Sequence, residues 1–173
     1  LRNFNFFTID GENARDFDDA VAISSQAGQC YTLWVSIADV SHYVKEDSSV
    51  DREAFRRGTS VYFPQRALPM MPPQLSNGIC SLNPEEDRLC LSVAMEFDGQ
   101  GRLIDARFFP SVIKSHARLT YTMVKEMLQQ GNRELSARHP LICEDLRAMA
   151  DLCQALRARR MERGSIDFDL PEP

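Results

Sequence analysis

Apolar and polar positions divide the chain into stretches of different period. Near the start, Phe6-Phe7-Thr8-Ile9 is a short apolar run that stops at Asp10. Residues 20–24 and 29–39 read as two strands joined by Ser25-Gln26-Ala27-Gly28, the second rich in β-branched and aromatic residues (Tyr31-Thr32-Leu33-Trp34-Val35-Ser36-Ile37) and partly alternating. Residues 47–58 suit a short helix, with Ser48 or Ser49 as its cap and Val50 and Phe55 as its apolar positions. Residues 60–63 are extended and stop at Pro64. Five prolines at 64, 69, 72, 73 and 84 then exclude a long helix and predict an ordered, functional loop.

Further on, residues 89–97 and 103–113 flank Asp98-Gly99-Gln100-Gly101 and predict a hairpin. Thr120 caps a helix that runs to 130 and ends at Gly131. The strongest period is at 141–163, where Ile142, Leu146, Met149, Cys153 and Leu156 recur every three to four residues. Pro140 suits its first turn and Gly164 its stop. Glu144 and Asp145 sit near the positive end of the helix dipole, and Arg157, Arg159, Arg160 and Arg163 near the negative end. Antiparallel strands beside helices predict an α+β fold: a mixed, mainly antiparallel sheet with packed helices.

Composition bounds the class. A hydrophobic fraction of 43% with 26% charged residues over 173 positions suits one soluble globular domain with a sizeable core. No apolar run reaches membrane-spanning length and no signal pattern opens the chain, so the expected location is cytoplasmic, with no membrane partner. The five cysteines, Cys30, Cys80, Cys90, Cys143 and Cys153, are odd in number and form no Cys-x-x-Cys pair, which fits reduced thiols. A net charge of −5 argues mildly against a general polyanion binder.

The charge has a focus. Between Asp10 and Asp19 lie four aspartates, Asp10, Asp16, Asp18 and Asp19, together with Glu12, and only Arg15 offsets them locally. Carboxylates so crowded raise one another's pKa unless a cation neutralises them. Hard oxygen donors suit Mg²⁺, with Mn²⁺ as a possible substitute, and two such ions can clamp the attacking and leaving oxygens of a phosphoryl transfer. A solvated acidic loop is the plain alternative. An EF-hand starting at Asp10 fails, because Ala14, Arg15 and Val21 occupy its fifth, sixth and twelfth positions. An aspartyl-phosphate motif fits poorly, because Asp16-Phe17-Asp18 follows Asn13-Ala14-Arg15 rather than a hydrophobic strand.

Residues 8–21, TIDGENARDFDDAV, resemble the signature of the ribonuclease II and ribonuclease R family. The resemblance continues through Val35-Ser36-Ile37-Ala38-Asp39-Val40-Ser41-His42-Tyr43-Val44, Ser60-Val61-Tyr62-Phe63-Pro64 and Pro69-Met70-Met71-Pro72. It then runs through Leu75-Ser76-Asn77-Gly78-Ile79-Cys80-Ser81-Leu82-Asn83-Pro84, Asp87-Arg88-Leu89, Ser115-His116-Ala117-Arg118-Leu119-Thr120-Tyr121 and Ile166-Asp167-Phe168-Asp169. Asn13 is one departure, outside the four ligand positions. The resemblance is closest to the ribonuclease R branch and implies the first part of a catalytic domain, without the rest of that domain or the flanking oligonucleotide-binding domains.

The resemblance also implies a processive, magnesium-dependent hydrolase that degrades single-stranded RNA from the 3′ end to 5′-mononucleotides. Asp10, Asp16 and Asp19 are then metal ligands, and Asp18 is the most sensitive position, as a ligand or an orienter of the attacking water. Tyr62 falls where the family stacks a tyrosine on a base near the 3′ end. Arg88 either pairs with a carboxylate or reaches a phosphate, and His116 and Arg118 are candidate RNA contacts. His42 and the arginines at 157–163 have structural readings. An inert fragment that binds RNA or a protein is the alternative, and a phosphatase or nucleotidyl transferase has only the acidic cluster in its favour.

Overall fold

The structure, a computed structural model, describes residues 1–26, 30–63, 65–130 and 132–166. Five strands close into a barrel in the order β1 (Phe6–Asp10), β2 (Asp19–Gln26), β3 (Cys30–Ala38), β6 (Asp87–Phe97) and β7 (Leu103–Thr120). Neighbours run antiparallel except β1 and β7, which pair in parallel from Phe6 opposite Ser115 to Asp10 opposite Thr120. The expected α+β class with a mainly antiparallel sheet is what the chain adopts; its closure into a barrel has no signal in any single strand.

Small residues permit that closure. Ala20, Ala22, Ser36, Ala38, Cys90, Ser92 and Ala94 are buried, so the walls approach closely around Phe6 and Ile113. The hydroxyl oxygens of Ser36 and Ser92 lie 2.7 Å apart and those of Ser92 and Ser111 2.6 Å apart, so these three hydroxyls satisfy one another. The opposite face of β1 packs on helices: Phe7, Ala117 and Leu119 meet Met127, Ile142, Cys143 and Leu146. Strand β1 is therefore buried on both faces, which explains its unbroken apolar run.

The hairpin between β6 and β7 forms as its turn residues predict. Asp98 Oδ1 accepts from the backbone N–H groups of Gln100 and Arg102, both at 2.9 Å. Gly101 has φ +70°, and a Cβ there would meet the Ala155 backbone at 3.1 Å, so this turn needs a glycine for conformation and for space. Strand β7 runs past the expected residue 113 to Thr120, because its second half closes the barrel against β1.

The helices are α1 (Val40–Tyr43), α2 (Ser49–Arg57), α3 (Tyr121–Lys125), α4 (Arg133–Arg138) and α5 (Pro140–Glu162). Ser48 caps α2, and Thr120 caps α3, as expected. Beyond Lys125 the helix widens into a looser turn over Glu126–Gln130. Helix α5 starts one residue before the expected span and buries Ile142, Cys143, Leu146 and Leu152. Two expectations shift. Cys153 is exposed, because the buried stripe passes through Leu152 instead. Phe55 is 89% exposed and α2 buries no residue, because this helix lies outside the barrel; of its two expected apolar positions only Val50 is half-buried, in a hollow shared with residues 69–73.

The proline-rich stretch holds a small hairpin of β4 (Val61–Phe63) and β5 (Arg66–Leu68), then a loose helical turn over Gln74–Ile79. All five cysteines are free. Among the described residues, no helix is long and apolar enough to cross a membrane. The joining residues 27–29, Pro64, Gly131 and the closing motif from Asp167 onward lie outside the described residues.

Candidate acidic centre

The aspartate segment occupies one rim of the barrel. Strand β1 delivers Asp10, the loop that follows delivers Asp16 and Asp18, and Asp19 opens β2 opposite Ile37 of β3. The intervening loop is anchored by a buried side chain, Phe17, which belongs to the barrel core cluster. Asp18 is fixed through its backbone, since the Ala38 N–H donates to its carbonyl at 2.9 Å. A buried aromatic between two acids thus turns the flanking carboxylates outward to the rim.

These carboxylates feel one another. Burial pushes the Asp10 carboxyl above its ordinary value, and Asp19 and Asp16 add to the rise, while Arg118 opposes it. Burial also raises Asp18, with Asp16 and Asp19 as further causes. The buried Asp10 Oδ2 atom has no hydrogen-bond partner among the described groups. Glu12, the fifth acid, turns elsewhere: the Thr120 and Thr122 hydroxyls at the start of α3 hold its carboxyl below the usual range.

The donor set is all oxygen, carries concentrated negative charge and leaves one buried carboxylate atom without a partner. That chemistry fits a hard divalent cation. Among the described residues, no three Asp, Glu, His or Cys side chains converge closely enough to hold an ion unaided. Mutual repulsion opposes such convergence until a cation offsets it.

A stability test follows from the signs. Between the unfolded carboxyl pKa near 3.8 and the raised folded values, the folded chain holds more protons than the unfolded one, so Asp10 and Asp18 make folding less favourable as pH rises through that window. The penalty persists at neutral pH. In EDTA at about pH 7, Asp10→Asn is therefore expected to melt above the parent, with the gap closing toward pH 4, and Mg²⁺ should raise the melting midpoint of the parent more than that of the variant. A parent that melts above Asp10→Asn in EDTA at neutral pH contradicts this account.

The expected RNA-contact residues divide between places. Tyr62, on β4, is 70% exposed and its hydroxyl donates to Asp16 Oδ2 at 3.4 Å. It lines a hollow of about 280 Å³ with Asn13, Arg15, Asp16, Ala67 and Asn77 among others. Arg118 also adjoins the centre: its Nη2 donates to the Gly11 and Glu12 carbonyls at 2.9 and 2.7 Å, and its guanidinium lies 5.4 Å from the Phe17 ring centroid. The aspartates, Tyr62 and Arg118 thus share one region.

Arg88 sits beneath it. Its Nε donates to the Ser81 carbonyl at 2.7 Å, and its other nitrogens reach the carbonyls of Gly78 and Asp87 and the Glu86 carboxylate. His116 lies elsewhere, with Nδ1 3.4 Å from Glu85 Oε1, in a hollow that none of the four aspartates lines. His42 is exposed and stacks edge-on against Tyr43. Sequence reasoning passed over Ser81, whose hydroxyl is bonded to the loop on both sides of Asp16. Its partners are more than 60 positions away in the chain, so no local pattern marks it.

The RNB domain model matches residues 1–173. Ribonuclease R of Vibrio cholerae is 48% identical over 172 residues, covering 99% of this chain and 21% of the relative. Ribonuclease R of Aquifex aeolicus is 49% identical over 172 residues, covering 99% of the chain and 24% of the relative. The chain thus spans about a fifth to a quarter of the length of these curated relatives. Among solved structures, Mycoplasma genitalium RNase R in complex with double-stranded RNA superposes with a TM-score of 0.88 at 34% identity, covering 96% of this chain and 29% of the other.

Proposed function

The chain belongs to the RNB domain family, and from that premise we propose that it carries the acidic centre of a processive, hydrolytic 3′-to-5′ exoribonuclease. The substrate is single-stranded RNA, the products are 5′-mononucleotides, and the setting is the cytoplasm. The observation that carries the reading is the set of coupled carboxylates at the barrel rim, Asp10, Asp16, Asp18 and Asp19, two of them raised by burial and by their acidic neighbours. Ribonuclease R relatives aligned over 99% of the chain support the same reaction class.

Asp10, Asp16 and Asp19 would hold Mg²⁺, or Mn²⁺ in its place, and Asp18 would act as a ligand or orient the attacking water. When bound, such a cation supplies Lewis acidity and neutralises charge at the scissile phosphate. Tyr62 offers its exposed ring to the terminal bases while its hydroxyl rests on Asp16. Stacking of this sort is worth roughly 1–3 kcal/mol per base and tolerates any sequence. Arg118 shapes the floor of the centre by gripping the loop carbonyls, and Arg88 does the same one layer below. His116, on its separate hollow, would touch RNA only along a longer path. Flanking oligonucleotide-binding domains in the longer protein would supply most of the grip, in keeping with the net charge of −5.

The test is a time course on a 5′-labelled single-stranded oligoribonucleotide with Mg²⁺, using the full-length protein that contains this chain. Stepwise shortening from the 3′ end with release of mononucleotides is the expected result. RNA retention without any shortening would instead establish a binding module. Free phosphate released from a monoester would point to a phosphatase.

A further inference from the structure

We propose that Ser81 is a positioning residue for the acidic centre: its buried hydroxyl sets the course of the backbone on both sides of Asp16, and through it the directions of the Asp16 and Asp18 carboxylates. The inference rests on the reading of these aspartates as cation ligands.

The loop from Arg15 to Asp18 belongs to no strand, so its backbone groups lack the ladder partners that fix Asp10 and Asp19. Near the buried Phe17, unpaired backbone groups would be costly. One hydroxyl answers for two of them. Ser81 Oγ accepts from the Phe17 N–H at 3.0 Å and donates to the Arg15 carbonyl at 3.0 Å. Its single proton is thereby committed to the far side of Asp16 from the N–H it accepts. Asp16 lies between those two bonded groups and Asp18 follows directly. The neighbouring Leu82 N–H donates to the Phe17 carbonyl at 2.9 Å, so the 81–82 peptide forms a short template along the loop.

The template is itself held from below. Ser81 is fully buried, and its carbonyl accepts from Arg88 Nε at 2.7 Å. Arg88 also donates to the Gly78 carbonyl at 3.3 Å and pairs with Glu86, and its side chain is only 13% exposed. A planar guanidinium with several donors in fixed directions ties the two ends of the 78–86 turn together, which an ammonium would do with less angular control. The order of support runs from Arg88 to Ser81 to the Arg15–Phe17 backbone to the two carboxylates.

Outer groups that orient metal ligands typically change affinity 10–100-fold when removed. In the full-length protein, Ser81→Ala is expected to weaken Mn²⁺ binding by about that factor, measured by titration of Mn²⁺ alone without RNA and read from the electron paramagnetic resonance of the free ion. The Mg²⁺ concentration for half-maximal hydrolysis should rise by a similar factor, and affinity for a single-stranded oligoribonucleotide should change less than about twofold. A role confined to packing would lower the melting midpoint in EDTA without moving the Mn²⁺ isotherm of the folded protein.

Should Ser81→Ala not fold, Arg88→Lys carries the test, because it keeps charge and volume but loses the fork on Ser81 and Gly78. It is expected to weaken Mn²⁺ binding in the same direction. Wild-type Mn²⁺ affinity in the folded variants overturns the inference and leaves the exoribonuclease reading standing. A parent protein that binds no Mn²⁺ overturns the cation reading itself, and the positioning role with it.

Discussion

Asp18→Asn in the full-length protein is expected, if the chain carries the proposed exoribonuclease centre, to reduce hydrolysis of single-stranded RNA by roughly 10³-fold or more while leaving RNA affinity within about twofold of the parent. The amide matches the carboxylate in size, so the loop keeps its shape: Asp18 is tied to β3 through its backbone carbonyl, which the substitution does not touch. What is lost is a negative charge at a rim where burial and two neighbouring aspartates already make charge unfavourable. On the proposed reading, such charge is tolerated for the cation it would hold. Removing several kcal/mol of transition-state stabilisation corresponds to a factor of this size. RNA affinity depends instead on stacking and on phosphate contacts, to which a carboxylate contributes nothing attractive. Turnover by Asp18→Asn within tenfold of the parent, measured on a 5′-labelled oligoribonucleotide, would remove Asp18 from the chemistry.

Local patterns disclosed the elements, and long-range contacts decided their assembly. The hairpin at Asp98–Gly101, the cap at Thr120 and the long helix α5 each carry their cause within a few residues, and each forms as its pattern predicts. The second half of β7 does not. Residues 114–120 alternate weakly, and they are a strand because β1, more than 100 positions earlier, runs beside them. Phe55 misled for the opposite reason: an apolar residue at helical spacing implies a buried face only if another element covers it, and none of the described ones does.

The candidate site was legible in its acids, and Arg88 and Arg118 stood out as a carboxylate or phosphate partner and an RNA contact, but none of its three supports was legible as one. Four aspartates within ten positions announce themselves by charge. The residues that aim them, Ser81, Arg88 and Arg118, come from the proline-rich stretch and from β6 and β7, and act mainly on backbone carbonyls and N–H groups. A hydrogen bond to a backbone group places no demand on the identity of the residue it supports. No pairing of residue types therefore marks these contacts in the sequence.

Phe6→Ala is expected to cost about 4 kcal/mol of folding stability, near the middle of the range for a buried aromatic cut to alanine. Phe6 is fully buried within the barrel cluster together with the larger Phe17, Leu82 and Ile113, and the Phe4 ring lies 6.4 Å away, but most buried members of the cluster are small: Ala20, Ala22, Ala38, Cys80 and Cys90. Those residues have few side-chain atoms with which to fill a void. The wall cannot collapse either, since β1 is hydrogen-bonded to β2 on one side and β7 on the other, and moving it would break both ladders. The cavity would persist, and cavity volume adds to the lost transfer energy. A chain of this length loses roughly 2–4 °C per kcal/mol, so the melting midpoint should fall by about 8–16 °C. Phe4→Ala is the comparison. Phe4 is 36% exposed and meets the Trp34 ring at a tilt of 53° with centroids 4.7 Å apart, so its removal should cost much less. Equal losses for the two variants would mean that the barrel yields around Phe6. Because Asp10 lies four residues further along the same strand, a yielding barrel could not hold the acidic rim in place either.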